Sequence, residues 1–262
     1  MDAEIRVLVT GAAGRMGREV VRAVCAADGM SLVGAVDLAN AGQDAGAVAG
    51  IGPAGIPIRS DLEGALRDAA PNVMVDFTIA RAAQANVMTA IDRGVRFVVG
   101  TSGMQPEAVE AILHKAAVHG VAGAIVPNFA LGAVLMMRFA RVAAQYLPAC
   151  EIVELHHDGK VDFPSGTAKA TAHEVASGRG DAVGHARGLG GRGTEIEGVP
   201  IHSVRLPGLV AHQEVIFGGA GETLTIRHDS LGRDSFMPGV LLAIRRVVGL
   251  DRVVTGLDPL LD

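Results

Sequence analysis

Two spacings of hydrophobic residues alternate along the first half of the chain. Short runs of Val, Ile and Leu predict strands, and the longer segments between them, with apolar residues every three or four positions, predict helices. This alternation predicts an α/β domain with a Rossmann-like parallel sheet and helices on both faces. The predicted strands are Ile5–Thr10, Leu32–Val36, Val73–Phe77, Arg96–Val99 and Val121–Val126. The predicted helices are Arg15–Ala27, Leu62–Ala69, Ala80–Arg93 and Pro106–His119.

The pattern changes after Asn128. Consecutive strands with short glycine-containing turns predict a smaller α+β domain with a partly antiparallel sheet. We assign 1–127 to the first domain, 128–238 to the second and 239–262 to the first again, and we expect a surface loop at Gly178–Gly193. The predicted helices are Leu131–Gln145, Thr167–Ala176 and Gly239–Val248. The predicted strands are Glu151–His156, His202–Leu206, Gln213–Phe217 and Thr223–Asp229.

Charge and composition narrow the class of protein. The net charge is −5 and there is no basic tract, which argues against a nucleic-acid partner. No apolar run reaches the roughly 20 residues of a membrane span, and the acidic start leads directly into a strand rather than a signal peptide. The two cysteines, Cys25 and Cys150, form no CxxC motif. We therefore expect a reduced, cytoplasmic protein without a membrane partner.

A glycine turn follows the first predicted strand. In Gly11-Ala12-Ala13-Gly14-Arg15-Met16-Gly17, the first glycine permits a tight turn, the second lets a diphosphate approach and the third lets helix and strand pack closely. Asp37 ends the next strand, where a carboxylate can bind ribose hydroxyls and repel a 2′-phosphate. The pattern predicts dinucleotide binding with NADH favoured, while Arg15 leaves NADPH possible. The alternative is a glycine-rich turn with an unrelated acid.

The segment ELHHDGKVDFPSGT (154–167) combines several polar groups. Adjacent His156 and His157 would diverge if one strand ran through both, and no other Cys/His cluster has zinc-like spacing, so no metal site is predicted. Ser165 lacks the surroundings of a nucleophile. The polar residues at 164–167 open a predicted helix, whose N-terminus favours a carboxylate, and Lys160 adds a cation. The segment thus predicts an anion site with a histidine acid, and a solvated loop is the alternative.

Several motifs resemble the dihydrodipicolinate reductases, also called 4-hydroxy-tetrahydrodipicolinate reductases. They are GAAGRMG (11–17), VDFT (75–78), VGTSG (99–103), PNFALGAVLMM (127–137), ELHHDGKVDFPSGTA (154–168), VRLPGLVAHQEVIFG (204–218) and ETLTIRHDS (222–230). The likeness covers nearly the whole chain. It implies reduction of a small cyclic dicarboxylate by NAD(P)H in lysine and diaminopimelate biosynthesis. It also implies a second domain that binds substrate and builds a homotetramer.

The resemblance also implies roles for individual residues. His156 would donate or accept a proton, and Lys160 would be a second proton donor. The substrate carboxylates would bind His157, Gly166 and Thr167, with Ser165 in the same turn. The cofactor would bind Gly11, Ala12, Ala13, Gly14, Arg15, Met16, Asp37, Gly100, Thr101, Ser102, Val126, Pro127, Asn128 and Phe129.

One departure from the family pattern bears on the substrate. Phe163 stands where the family usually has alanine, and its ring could narrow the carboxylate site or cover its rim. The second hypothesis is therefore an NAD(P)H-dependent reductase of another small cyclic dicarboxylate. A dinucleotide-binding sensor without activity is a third hypothesis, against which His156 and Lys160 argue, because a sensor needs no proton donors.

Overall fold

A computed structural model describes residues 4–147, 149–179 and 193–262. The chain divides into two compact units, one formed by Met1–Phe129 with Phe236–Asp262 and the other by Ala130–Ser235. Of the predicted loop at 178–193, the first two residues belong to a helix, and 180–192 lie outside the described residues.

The first unit contains a parallel sheet whose strands, numbered in chain order, are β1 Ile5–Thr10, β2 Met30–Val36, β3 Ile58–Arg59, β4 Val73–Asp76, β5 Arg96–Val99, β6 Gly123–Ile125 and β12 Val253–Thr255. Within the described residues their order is β12-β6-β5-β4-β1-β2-β3. Its helices are α1 Arg15–Ala26, α2 Ala45–Ala49, α3 Leu62–Ala69, α4 Ala80–Asp92, α5 Pro106–His119 and α8 Met237–Val247.

The strand order reverses beside β1. The chain adds β2 and β3 on one side of β1, then β4, β5 and β6 on the other. Because ligands of such sheets bind at the carboxyl ends of strands next to this reversal, the ends of β1 and β4 define the expected crevice. Val7, Val9 and Val75 are fully buried, as expected for strands covered on both faces. The α/β prediction for this unit is confirmed.

The second unit is a mixed sheet with two helices on one face. The order is β11-β10-β7-β9-β8, with β7 and β9 parallel and the other neighbours antiparallel. Residues alternate along β7, so Ile152 and Glu154 face the helices while Glu151 and Val153 are partly exposed. The strands are β7 Ala149–His156, β8 Thr194–Ile196, β9 Val199–Arg205, β10 Ala211–Gly219 and β11 Glu222–Ser230, and the helices are α6 Leu131–Ala144 and α7 Gly166–Arg179.

Candidate active site

The glycine turn after β1 has a geometry that only glycine satisfies at two positions. Gly11 has a φ of +74°, and a Cβ atom there would lie 2.6 Å from the carbonyl oxygen of Phe77. A Cβ atom on Gly17 would overlap the carbonyl oxygen of Gly11. Gly14 precedes α1 in an extended conformation without a side-chain cap. The first amides of α1 therefore have neither an intrahelical acceptor nor a capping side chain, which suits a bound anion.

Asp37 lies against this turn. Its Oδ2 accepts a hydrogen bond from the backbone N–H of Ala13 at 2.9 Å, and its Oδ1 accepts one from Ala39 at 2.9 Å. Arg15 is exposed at the start of α1. The structure thus brings the predicted diphosphate turn and the predicted ribose-binding acid together.

Asp76, which sequence reasoning missed, organises the carboxyl ends of three strands. Its fully buried carboxyl group accepts hydrogen bonds from the hydroxyl groups of Thr10 at 2.6 Å, Thr78 at 2.8 Å and Thr101 at 2.8 Å, and from Asn86 Nδ2 at 2.8 Å. Thr101, one of the predicted cofactor residues, is thereby tied to the end of β1. The signal in the sequence was an acid at the end of an otherwise apolar strand, followed two residues later by threonine.

The loop after β5 lies on a pair of aromatic rings. Phe77 and Phe129 have centroids 5.5 Å apart, and a Cβ atom on Gly100 would overlap the first ring and lie 2.8 Å from the second. Phe129 and Val126 are buried. Ser102 and Pro127 are exposed, and Asn128 is partly exposed.

These features fit a dinucleotide. The turn has no Cβ at the two positions where one would clash, it leads into a helix N-terminus, and an acid follows on the neighbouring strand. The residues that would hold the diphosphate are those of 11–16, and Asp37 would hold the ribose.

In the second unit, His156 is anchored by a buried carboxylate. Glu154 has no exposed side-chain surface, and its Oε2 contacts Nδ1 of His156. Arg205 donates to both carboxylate oxygens, from Nη2 to Oε1 at 2.8 Å and from Nη1 to Oε2 at 2.9 Å. The arrangement follows from register, since Glu154 and His156 lie two residues apart on β7 and Arg205 pairs with His156 on β9.

The two adjacent histidines do not share a strand. β7 ends at His156, and His157 is an exposed residue of the following turn. The predicted strand likewise ended at His156, so the condition under which the two would diverge along one strand is not met, because the chain turns at Asp158-Gly159 immediately after the pair.

Arg205 also holds the loop that carries Lys160. Its Nε donates to the carbonyl oxygen of Lys160 at 3.3 Å and its Nη2 to that of Asp162 at 2.8 Å. Lys160 Nζ lies 2.7 Å from Oδ1 of Asp162, and this ammonium lowers the pKa of the Asp162 carboxyl. The cation is therefore placed by one guanidinium group that also binds Glu154.

The start of α7 is connected to the same carboxylate. Ser165 donates its backbone N–H to Oε1 of Glu154 at 3.3 Å, and its hydroxyl group accepts from the N–H of Ala168 at 3.1 Å. Because of this hydrogen bond to Ala168, the buried Ser165 caps the helix. Gly166 and Thr167 form the first turn. Thr171 donates to the carbonyl oxygen of Thr167 at 2.8 Å and steadies that turn.

The charges around His156 determine where its protons reside. Burial lowers the pKa of His156, and the adjacent carboxylate of Glu154 opposes that effect only in part. Burial by itself would raise the pKa of Glu154, but hydrogen bonds from Arg205, Ser203 and His156 outweigh it and the pKa is lowered. Glu154 is therefore an acceptor, which assigns the Nδ1 proton to His156 and leaves Nε2 for exchange.

Sequence reasoning found His156 and Lys160 but missed Glu154 and Arg205. Glu154 was detectable, since alternate residues of a strand share a face. Arg205 was not, because its pairing depends on long-range strand register. Within 4–147, 149–179 and 193–262, no cluster of three or more His, Cys, Asp or Glu could hold a metal ion. In the same ranges no helix is long and apolar enough to cross a membrane.

Two family models match the chain. The one described as dihydrodipicolinate reductase, N-terminus, matches residues 5–129, and the one described as dihydrodipicolinate reductase, C-terminus, matches residues 132–261. The 4-hydroxy-tetrahydrodipicolinate reductase of Moorella thermoacetica is 49% identical over 266 residues, with 100% of both chains covered. That of Halalkalibacterium halodurans is 46% identical over 263 residues, with 98% of this chain and 100% of the relative covered.

A solved structure agrees with these matches. It is the dipicolinate-bound dihydrodipicolinate reductase from Paenisporosarcina sp. TG-14, which is 41% identical, with a TM-score of 0.87 and 98% of this chain and 100% of that chain covered. Both family models, the full-length relatives and this structure lead to one conclusion: the chain belongs to the dihydrodipicolinate reductase family.

Proposed function

We propose that His156 transfers the proton in the reaction of this enzyme, the NAD(P)H-dependent reduction of 4-hydroxy-tetrahydrodipicolinate to tetrahydrodipicolinate. The observation that carries the proposal is the buried contact between Glu154 and Nδ1 of His156, beside a helix start suited to carboxylates. In this reaction a hydrogen replaces the ring hydroxyl group, so one hydride enters, one proton is consumed and one water leaves. NAD(P)H, when bound, supplies the hydride.

His156 delivers the proton from Nε2. Its Nδ1 is engaged by Glu154, so the imidazolium form has only the Nε2 proton to give. After transfer, the neutral ring keeps the proton on Nδ1, which still donates to Glu154, and the ring stays in the same orientation. The buried carboxylate also stabilises the imidazolium before transfer, which is the usual part of an acid beside a catalytic histidine.

The carboxylates of the substrate bind around the start of α7. The backbone amides of Gly166 and Thr167 lie in the first turn of a 14-residue helix, where the helix dipole favours an anion. Lys160 precedes the same segment and adds positive charge, and His157 is a proposed contact of a substrate carboxylate. In this proposal Lys160 is the second group that can donate the one proton consumed, and its ammonium stabilises negative charge that develops on the substrate ring.

NADH is the favoured cofactor in this proposal. The carboxylate of Asp37 is fixed next to the glycine turn by the N–H of Ala13, and its charge disfavours a ribose 2′-phosphate. Thr101, Ser102 and the backbone of 126–129 line the nicotinamide end. The unit at 1–127 with 239–262 serves the cofactor, and the unit at 128–238 serves the substrate.

The assembly and compartment are also proposed. The resemblance implies a homotetramer built through the sheet of the second domain, and the two cysteines without a CxxC motif favour a reducing, cytoplasmic location. The edge strand β11 supports this, because it is mostly exposed and carries Leu224 at 41% exposure. Light scattering on the purified enzyme tests the assembly: a mass near four times 26.8 kDa is expected, and a stable monomer contradicts it.

Oxidation of NADH in the presence of freshly generated 4-hydroxy-tetrahydrodipicolinate tests the role of His156. We expect turnover by the wild-type enzyme, and for His156→Gln a kcat that is lower by about 10²-fold or more, as for loss of a general acid, with little change in the affinity for NADH. Wild-type turnover in the variant would rule out His156 as the proton donor. No turnover by the wild type, with NADH still bound, would contradict the proposed substrate.

A further inference from the structure

We propose that Glu154 is a positioning residue for this reaction, which holds His156 through one carboxylate oxygen and the start of α7 through the other. The inference rests on the proposed function, because it assumes that His156 is the proton donor. It adds that one buried carboxylate, that of Glu154, positions both the proton donor and the segment that binds the substrate carboxylates.

The geometry gives each oxygen of Glu154 a separate task. Oε2 meets Nδ1 of His156, and Oε1 accepts the backbone N–H of Ser165 at 3.3 Å. Arg205 donates to both oxygens and so prevents the carboxyl group from rotating away from either partner. A shift of Glu154 would move the catalytic ring and the first turn of α7 together.

Arg205 also positions the loop that carries Lys160. Its Nε and Nη2 also donate to the carbonyl oxygens of Lys160 and Asp162, on the loop between β7 and α7. The loop, the ring and the helix start are therefore all connected to one ion pair, formed by a buried carboxylate and a partly buried guanidinium group. Such a pair contributes little to stability by itself but fixes one arrangement of the groups around it.

The charged groups that face His156 have opposite effects on its pKa. Glu154, two residues before it on β7, raises the pKa of the ring, whereas Lys160 on the loop and Arg205 on β9 lower it, as burial does. β10 places the uncharged Ala211 opposite His156. Glu154 is thus the group that favours the imidazolium, so its neutralisation should make the acid form scarcer near neutral pH.

The pH dependence of kcat/KM for the dicarboxylate tests the inference. If the imidazolium is the active form, activity falls as the pH rises through the pKa of His156. In Glu154→Gln we expect this fall to move to lower pH by about 1 unit or more, because an opposite charge in contact has been removed. We also expect a lower kcat and an unchanged KM for NADH. A residue that merely supports the fold would leave the position of the fall unchanged.

Two further variants keep the inference testable if Glu154→Gln does not fold. Glu154→Asp keeps the charge and should keep the fall near its wild-type pH, with a lower rate because the side chain is shorter. Glu154→Gln combined with Arg205→Gln removes both charges and leaves no unpaired buried guanidinium. The inference is wrong if Glu154→Gln is folded by circular dichroism and retains the wild-type position of the fall, or if the folded double variant has its fall at the same pH as Arg205→Gln alone.

Glu197→Gln is the matched control. Glu197 lies 3.2 Å from Nδ1 of His173, so it forms a Glu–His pair in the same unit, but both side chains are exposed. This variant should leave the pH profile and kcat unchanged. The two proposals fail separately: turnover in His156→Gln would contradict the proton donor, whereas an inactive His156→Gln with an unaffected Glu154→Gln would contradict only the positioning role.

Discussion

Asp37 accepts a hydrogen bond from the backbone N–H of Ala13 at 2.9 Å, which joins the end of β2 to the glycine turn after β1. The acid therefore has two effects in the same place. In our proposal its charge acts on the ribose of a bound cofactor, and its hydrogen bond holds the turn that would bind the diphosphate.

Substitutions of Asp37 should separate these two effects. Asp37→Asn removes the charge but keeps an oxygen for the N–H of Ala13, so we expect weaker discrimination against NADPH with the turn intact. Asp37→Ala should relax discrimination as well and in addition weaken binding of both cofactors. The measurement is kcat/KM for NADH and for NADPH. An unchanged ratio of the two in both variants would show that the carboxylate does not determine the preference.

Gly11→Ala should destabilise the protein and weaken NADH binding. A left-handed conformation costs alanine about 1–2 kcal/mol, and the new Cβ would also lie 2.6 Å from the carbonyl oxygen of Phe77. Gly29→Ala is the control, since Gly29 has the same φ of +74° but no atom within 4 Å of its ideal Cβ. Chemical denaturation and NADH titration should show the larger loss in Gly11→Ala, and equal losses would contradict a steric role for the turn.

Asp76→Ala should lower the free energy of unfolding by about 3 kcal/mol or more, because several buried donors lose their acceptor. The loop at Thr101 would lose its tie to β1, so we also expect a higher KM for NADH. Asp92→Ala is the control: Asp92 is an exposed carboxylate paired with Lys115, and its loss should change the melting temperature little. A melting temperature of Asp76→Ala close to that of wild type would rule out this role of Asp76.

The stability of the protein should decrease as the pH falls through about 6.5. Burial lowers the pKa of both His156 and His228. The unfolded chain therefore takes up protons at a higher pH than the folded chain, and the stabilisation present above about 6.5 is lost below it. Melting temperatures at pH 7.5 and 5.5 should differ more for wild type than for His156→Gln combined with His228→Gln. Parallel pH dependences would show that these histidines are not responsible.

Phe163→Ala should change stability by less than about 0.5 kcal/mol, because the ring is 69% exposed. Val161→Ala, at a side chain that is 91% exposed, gives the comparison. If the ring narrows the carboxylate site, kcat/KM for the dicarboxylate should stay equal or rise in Phe163→Ala. A fall in that ratio would show that the ring contributes to substrate binding.

Some elements were predicted from the sequence to the residue, whereas the bounds of others, such as α7 and β9, differ by up to three residues. β1, α3, β5 and α5 have the predicted bounds. The elements that were missed are short, namely α2, β3, β8 and β12. Each of them has three to five residues, or two in β3, and so contains too few apolar positions to show a period. The short strands among them form because a neighbouring strand offers hydrogen-bonding partners.

The sequence by itself determined what depends on neighbours along the chain: the βα turn at Gly11, the acid at Asp37, a helix start within 164–167 and the family likeness. Only the tertiary structure decided which distant groups meet. Glu154 and Arg205 are 51 residues apart, and Thr10 and Asp76 are 66 apart. Such pairs are created by strand order and register, which arise from the burial of whole sheet faces and leave no local pattern in the sequence.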